Sequence, residues 1–186
     1  MSLLSLNNAS NLLAKCIKEL HDLEQCEEHP GYDFTLFNII LDLNHLFEWY
    51  LKEKNLEIGK KLDCIKQFNP FQSPDDVSRD FKEFYKRLEV FPQTDMHQEV
   101  IRKLCNKAKH FKRKPLEKQH KKMTAVCGAD HMVCGNEKAE CGGFDHYIYS
   151  VEINGADKDL KKLISSQIEK WSILLNNKNF THNNTK

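Results

Sequence analysis

The chain has 186 residues, of which 40% are hydrophobic and 30% are charged, and its formal net charge at pH 7 is +1. A chain of this length buries enough surface to fold without disulfides or a structural metal, and its composition excludes a disordered or a membrane-embedded protein. No stretch approaches the roughly 20 consecutive apolar residues of a spanning helix, and the N-terminal residues lack a signal-peptide pattern, so we expect a cytoplasmic protein with no membrane partner.

Apolar residues at helical spacing predict two long helices in the first third of the chain. The first is predicted over about 5–27 and ends at the breaker sequence His-Pro-Gly of residues 29–31. The second, over about 33–54, carries the wide apolar band that is typical of a central bundle helix. A short helix is predicted at about 60–67.

Helix-start signals predict two further helices. Residues 73–76 (Ser-Pro-Asp-Asp) combine a capping residue, a proline and two acids, so a helix is predicted from there to about Phe91, before Pro92. Thr94 and Asp95 are predicted to cap the next helix, over about 96–111.

After Pro115 the pattern changes from helix to strand. Residues 123–127 and 147–153 are predicted strands of a β-hairpin at about 122–154, with a Gly-rich loop between them. Asn154-Gly155 is a turn signal, a last helix is predicted over about 157–176, and residues 177–186 are predicted to be a disordered tail. The expected fold is therefore mainly α: one antiparallel helical bundle over 1–176 with a small β-hairpin inserted before the last helix.

Positive charge is concentrated in one segment of the chain. Residues 102–122 contain ten Lys/Arg and one acid, which leaves 18 basic and 26 acidic residues elsewhere, so this segment carries +9 and the rest carries −8. Such clustering indicates a polyanion partner, and the alternative is a solvated basic loop. The candidate polyanion-binding residues are Lys107, Lys112, Arg113 and Lys114.

Two polar stripes are predicted on the helices. Arg102, Asn106, Lys109 and His110 share one face of the later helix, because their spacing is i, i+4, i+7, i+8. Asn38, Asp42, His45 and Trp49 form the second stripe, on the long second helix. If the two helices are neighbours, Asp42 or His45 faces Asn106 and His110. Such a cluster is either a functional site or a polar layer that fixes helix register.

Two short motifs carry a resemblance to a known family. Residues 44–49 read Asn-His-Leu-Phe-Glu-Trp, and residues 102–111 read Arg-Lys-Leu-Cys-Asn-Lys-Ala-Lys-His-Phe. The chain resembles HEPN-like bacterial proteins, which carry a His-Leu-x-acid-Trp pattern on one helix and an Asn-x-x-Lys-His-Phe pattern on a later one. Asn154-Gly155 and Trp171 also stand where that family has a turn and a tryptophan. The resemblance covers about residues 10–176.

The resemblance implies a helical bundle and, for many members, metal-independent RNA cleavage in defence or toxin–antitoxin systems by a motif assembled across a homodimer. That motif is an Arg, a polar residue, a few variable positions and a His. Asn106 matches the polar position and His110 the histidine, but the Arg position falls on Cys105. Arg102 lies one turn earlier, outside the usual spacing. Without the Arg, charge on a scissile phosphate lacks its bidentate partner.

Two functional hypotheses follow. The first is a non-catalytic module that binds RNA or an acidic protein through the basic segment, and the missing Arg favours it. The second is a ribonuclease in which His110 is the general acid or base, Asn106 orients an oxygen, and Arg102, Lys107 or Lys109 holds phosphate. Neither needs a cofactor.

The loop of the predicted hairpin contains a possible metal-ligand pattern. Cys127, His131 and Cys134 have ligand-like separations, Cys141 and His146 are candidates to complete a tetrahedral zinc site, and His120 is a further candidate. The spacings do not form the usual pairs of Cys-x-x-Cys, and the alternative is a flexible loop with reduced thiols. We expect no bound metal.

Overall fold

The computed structural model describes residues 6–25, 31–109, 117–123 and 144–175, with side chains described over 6–24, 31–107 and 149–175. The chain divides into a helical unit, Met1–Lys112 with Ile164–Lys186, and a sheet unit, Arg113–Leu163. The predicted hairpin at about 122–154 belongs to the sheet unit. The predicted tail, 177–186, lies outside the described residues.

The described elements are mainly helical, as predicted. The helices are α1 Ala9–Gln25, α2 Gly31–Lys52, α3 Ile58–Phe68, α4 Lys82–Tyr85, α5 Met96–Lys109 and α6 Leu160–Leu174. The first turn of α6 belongs to the sheet unit and the rest to the helical unit. No helix within the described ranges is both long and apolar enough to cross a bilayer.

Helix α2 is the centre of the helical unit and packs against α1, α3 and α5. Its buried residues include Leu36, Ile39, Leu43, Leu46 and Phe47, which together cover more than one face of the helix. A helix that is apolar over a wide arc must be covered by several neighbours. The central position predicted for this helix is thus confirmed.

Trp171 of α6 completes the core of the helical unit. It is fully buried, and its ring stacks on Phe68 at the end of α3 with centroids 4.1 Å apart and planes at 21°. Tyr50 of α2 meets the same indole edge to face at 5.9 Å. Offset and edge-to-face pairs of this kind stabilise aromatic cores beyond their area burial.

The prediction of a continuous helix from Ser73 to Phe91 is wrong. The segment instead forms a 3-10 turn, Pro74–Asp76, and then α4 of only four residues. The backbone nitrogen and Oγ of Ser73 both donate to Oδ2 of Asp76, at 3.2 and 3.1 Å, and Val77 is extended (φ −67°, ψ 126°). Side chains that bond the local backbone compete with helix formation. The Ser-Pro-Asp-Asp sequence of residues 73–76 therefore forms a turn here and does not start a long helix.

The sheet unit contains three antiparallel strands in the order β1-β2-β3: β1 Glu117–Met123, β2 Phe144–Ile153 and β3 Ala156–Asp159. The strand predicted at 123–127 overlaps β1 at Met123, and residues 124–127 lie outside the described residues. The prediction of strand 147–153 holds, because it lies within β2. Strand β1 pairs with β2 from Glu117 opposite Ser150 to Met123 opposite Phe144.

The predicted turn at Asn154-Gly155 joins β2 to β3. Both residues have positive φ, 53° and 75°, as a two-residue type I′ hairpin requires, and Ile153 pairs with Ala156 across it. Residues 157–159, predicted to begin the last helix, continue the hairpin instead. Helix α6 begins only at Leu160, where Oδ1 of Asp159 accepts the backbone N–H groups of Lys161 (2.9 Å) and Lys162 (3.2 Å).

Candidate functional site

A cavity of about 200 Å³ lies between α2, α5 and the segment 70–81, all within the helical unit. Its polar lining from the two helices consists of Asn44 and Glu48 of α2 with Gln98, Arg102 and Asn106 of α5. Three rings line it as well: Phe47, Phe71 and Phe81. The two helices that carry the sequence motifs are therefore neighbours, and their polar residues meet at one concave place.

Gln98 fixes α5 against its neighbours beside this cavity. Its side chain is buried; Nε2 donates to the backbone oxygen of Leu43 in α2 (3.3 Å), and Oε1 accepts from Gln167 of α6 (2.8 Å). The start of α5 is capped by Asp95, whose Oδ1 accepts the N–H groups of His97 (3.0 Å) and Gln98 (3.4 Å). The predicted cap at Asp95 is confirmed, and these contacts hold α5 in register.

Arg102 is held in place by the segment that precedes α4. Its Nε donates to the backbone oxygen of Pro70 (3.2 Å), and the guanidinium carbon lies 5.0 Å from the centroid of the Phe71 ring. A guanidinium has five N–H donors in a rigid plane, so this hydrogen bond uses one of them. The half-buried side chain is thus oriented toward the cavity that it lines.

Asn69 organises the backbone on which Arg102 rests. This fully buried amide donates from Nδ2 to the oxygens of Phe71 (2.9 Å) and Pro92 (2.8 Å). Its Oδ1 accepts from the Phe71 nitrogen (3.1 Å) and the Tyr85 hydroxyl (2.8 Å). Every hydrogen-bonding position of the amide is occupied, so the segment that supports the guanidinium is rigid.

Three further polar side chains from the two helices line the cavity. Within the part of the chain whose side chains are described, Asn44, Glu48 and Asn106 make no side-chain hydrogen bond or ion pair. Asn44 is 8% exposed, Glu48 is half-buried and Asn106 is exposed to solvent. The three side chains are therefore available to hydrogen-bond a ligand in the cavity.

The pairing expected for Asp42 is not what the structure shows. Its carboxylate forms a hydrogen-bonded ion pair with Lys15 of α1, which also binds Glu19 at 2.7 Å. Burial opposes the charge of Lys15, but the hydrogen bonds to Asp42 and Glu19 raise its pKa overall. The half-buried His45 lies one turn after Asp42 on α2. The polar side chains of α2 that line the cavity beside α5 are Asn44 and Glu48 instead.

The structure therefore brings together Arg102 and Asn106 from the predicted set, and adds Asn44 and Glu48, which sequence reasoning missed. Both missed residues lie inside the motif at 44–49, and their i, i+4 spacing was the available signal. The stripe predicted on α2 (Asn38, Asp42, His45 and Trp49) lies on a different face of that helix from Asn44 and Glu48. Which residues of α2 faced α5 depended on the packing of α1, which periodicity alone does not specify.

The remaining predicted residues divide into described and undescribed ones. Lys107 is exposed, and the exposed Lys103 pairs at 2.6 Å with the buried carboxylate of Glu99. Cys105, which the resemblance to HEPN-like proteins aligns with their arginine, is fully buried. Outside the described residues lie His110, Lys112, Arg113, Lys114 and the zinc candidates Cys127, His131, Cys134 and Cys141; the side chains of Lys109, His120 and His146 are likewise not described.

Comparisons of the chain with protein-family models, with curated protein sequences and with solved structures found no match.

Proposed function

We propose that this chain is a HEPN-like helical module that binds RNA and does not cleave it. The observation that carries the proposal is the segregation of charge: residues 102–122 carry +9 while the rest of the chain carries −8. Phosphate backbones are bound mainly through such clustered Lys and Arg side chains. Lys103 and Lys107, at the start of the segment, are exposed on α5.

The absence of catalysis is proposed from the surroundings of the motif. The position that carries arginine in HEPN ribonucleases is Cys105, a core residue with no exposed surface, so it offers no charge to a phosphate. Arg102 stacks beside Phe71 and is bonded to the oxygen of Pro70. Moving it into the family position would require breaking both contacts.

RNA binding and its salt dependence test the proposal. One variant neutralises the candidate residues (Lys107→Gln, Lys112→Gln, Arg113→Gln, Lys114→Gln), and a matched control neutralises exposed residues of the same types elsewhere (Lys54→Gln, Lys60→Gln, Lys82→Gln, Arg87→Gln). Each removes the same charge. If all four candidate residues contact phosphate, the slope of log affinity against log salt becomes shallower by about 3 in the first variant only.

Two results contradict RNA binding by this segment. One is an equal loss of affinity in the two variants, which would reflect net charge alone. The other is an RNA affinity of the wild type that does not change between low and moderate salt. An acidic protein partner, the other polyanion expected from the sequence, predicts no RNA binding at all.

A ribonuclease remains the second candidate, because Arg102 and Asn106 line one cavity on the helix whose sequence leads to His110. Incubation of labelled single-stranded RNA with the wild type and with His110→Ala, both metal-free, separates the two functions. We expect no cleavage by either protein. Cleavage by the wild type that disappears in His110→Ala would establish the ribonuclease and overturn the non-catalytic module.

A further inference from the structure

We propose that the cavity between α2 and α5 binds a single unpaired guanine base. The inference deepens the proposed function and rests on it for the source of the base, which is a nucleotide of single-stranded RNA. Proteins that read RNA sequence usually take an unstacked base into a pocket and bind its edges.

The size and the walls of the cavity suit one aromatic base. Its volume of about 200 Å³ lies below the roughly 300–1,000 Å³ of pockets for drug-sized ligands, so it takes one ring system rather than a whole nucleotide. Phe47 and Phe81 meet edge to face at 6.2 Å and 75°, and the Phe71 ring lies beside the Arg102 guanidinium. Rings and guanidinium planes are the usual surfaces on which unstacked bases lie.

The charged groups of the wall select among the bases. Guanine places two adjacent donors, N1–H and the N2 amino group, on one edge and two acceptors, O6 and N7, on another. A carboxylate accepts two parallel N–H groups and a guanidinium donates two. Glu48 and Arg102 supply one of each, while adenine, cytosine and uracil lack two adjacent donors.

The unpartnered amides of the wall point to a ligand with both donors and acceptors. Asn44 and Asn106 each offer an oxygen acceptor and two N–H donors, and neither has a side-chain partner within the described residues. Asn44 is 8% exposed while Asn106 is exposed to solvent, so of the two amides Asn44 has fewer water partners that a base must replace.

Phosphate is a poorer occupant than a base. Two carboxylates line the cavity, those of Glu48 and Asp76, and Asp76 is already bonded to Ser73. Like charges at close range repel strongly where water is scarce. The base therefore enters the cavity while its phosphates stay outside it.

Nucleotide substitution in the RNA tests the inference without altering the protein. Fluorescence anisotropy compares oligoadenylate with the same strand carrying one central guanosine or one central inosine, which lacks the N2 amino group. We expect the guanosine strand to bind roughly tenfold or more tightly than oligoadenylate, with the inosine strand between them. Equal affinities for the three strands overturn the guanine site while leaving RNA binding intact.

Protein variants then assign the preference to the cavity. In Glu48→Gln the distinction between guanosine and inosine is expected to disappear, and Asn44→Ala is expected to weaken the guanosine strand alone. Glu89→Gln, a change of the same type at an exposed residue outside the cavity, is expected to retain the full preference. A guanosine preference that persists in Glu48→Gln, in a protein whose thermal unfolding matches the wild type, rules out this site.

Titration with guanosine monophosphate distinguishes the two sources of a guanine base. Weak binding of the free nucleotide beside tight binding of the guanosine strand assigns the cavity to RNA. Binding of the nucleotide by a protein that binds no RNA supports the guanine cavity and overturns the RNA-binding function. Binding of neither by the wild type overturns both.

Discussion

The Tyr85 hydroxyl donates a 2.8 Å hydrogen bond to Oδ1 of Asn69, and both side chains are buried. Burial raises the pKa of Tyr85 well above its ordinary value, so the phenol stays protonated and remains a donor. Through this contact and its two bonds from Nδ2, Asn69 joins the chain after α3 to α4 and to Pro92. The support of Arg102 thus depends on one amide.

Replacement of Asn69 by alanine is expected to lower the free energy of unfolding by about 3 kcal/mol or more. The change leaves several buried groups unpaired, among them the Tyr85 hydroxyl, and each costs about 1–3 kcal/mol. Tyr85→Phe removes one bond and is expected to cost about 1–2 kcal/mol. Urea unfolding measures both, with Asn55→Ala at an exposed site as control; a loss in Asn69→Ala no larger than in that control would contradict the role of the network.

His97 is expected to make stability fall as the pH falls below about 7. Burial lowers its pKa below the ordinary value of 6.5, although Asp95 opposes the shift and Lys170 adds to it. The unfolded chain therefore binds the proton more readily, and stability is lost from pH 6.5 down to the folded pKa. In His97→Gln, urea unfolding between pH 5 and 8 is expected to show a shallower dependence.

The matched control for that experiment is His21→Gln, because His21 is exposed on α1. It should keep the wild-type dependence on pH. Identical curves for wild type and His97→Gln would show that His97 does not titrate differently in the folded chain.

Asp95 is expected to contribute to stability in two separable ways. Its Oδ1 caps α5, and its Oδ2 accepts from Lys170 of α6 at 3.1 Å. Loss of a cap costs about 0.5–2 kcal/mol, so Asp95→Ala is expected to cost about 2 kcal/mol in chemical denaturation. Asp95→Asn keeps a capping oxygen and loses the ion pair, so it should cost less and reduce the effect of added salt on stability. Equal losses in the two variants would argue against the cap.

Replacing Gly155 by a residue with a side chain is expected to destabilise the hairpin, although there is room for the side chain. A Cβ at this position meets no atom within 4 Å, but φ is +75°, a region where a side chain costs about 1–2 kcal/mol. Gly155→Ala should therefore speed amide hydrogen exchange in the hairpin around Ile153 and Ala156. Gly59→Ala is the control: it too has open space but no positive φ, and alanine there should stabilise α3.

The helices of the helical unit could be predicted because their signals are local. The apolar band of α2, the capping residue Asp95 and the turn at Asn154-Gly155 all act within a few residues of themselves. A continuous helix over 73–91 was the wrong prediction, because Ser73 and Asp76 bond each other in a turn and the Tyr85 hydroxyl bonds Asn69, which lies 16 residues earlier. Tertiary contacts override local propensity at such places.

The candidate site could be predicted in part for the same reason. The i, i+4 spacing of Arg102 and Asn106 identified their shared face on α5 without reference to any other element. Their partners on α2 depended on which face of α2 packs against α1. Asp42 lies on that face, where it pairs with Lys15. Asn44 and Glu48, on the neighbouring face of α2, line the cavity beside α5.

Cys16 and Cys64 are fully enclosed by the helical unit, and burial raises the pKa of each thiol well above its usual value of 9.0. Alkylating reagents attack the thiolate and need access to it, so the intact fold shields both sulfurs from modification. Their rate of labelling by iodoacetamide consequently follows how often the helices open. Two native side chains thus serve as internal reporters of breathing motions, with no engineered probe.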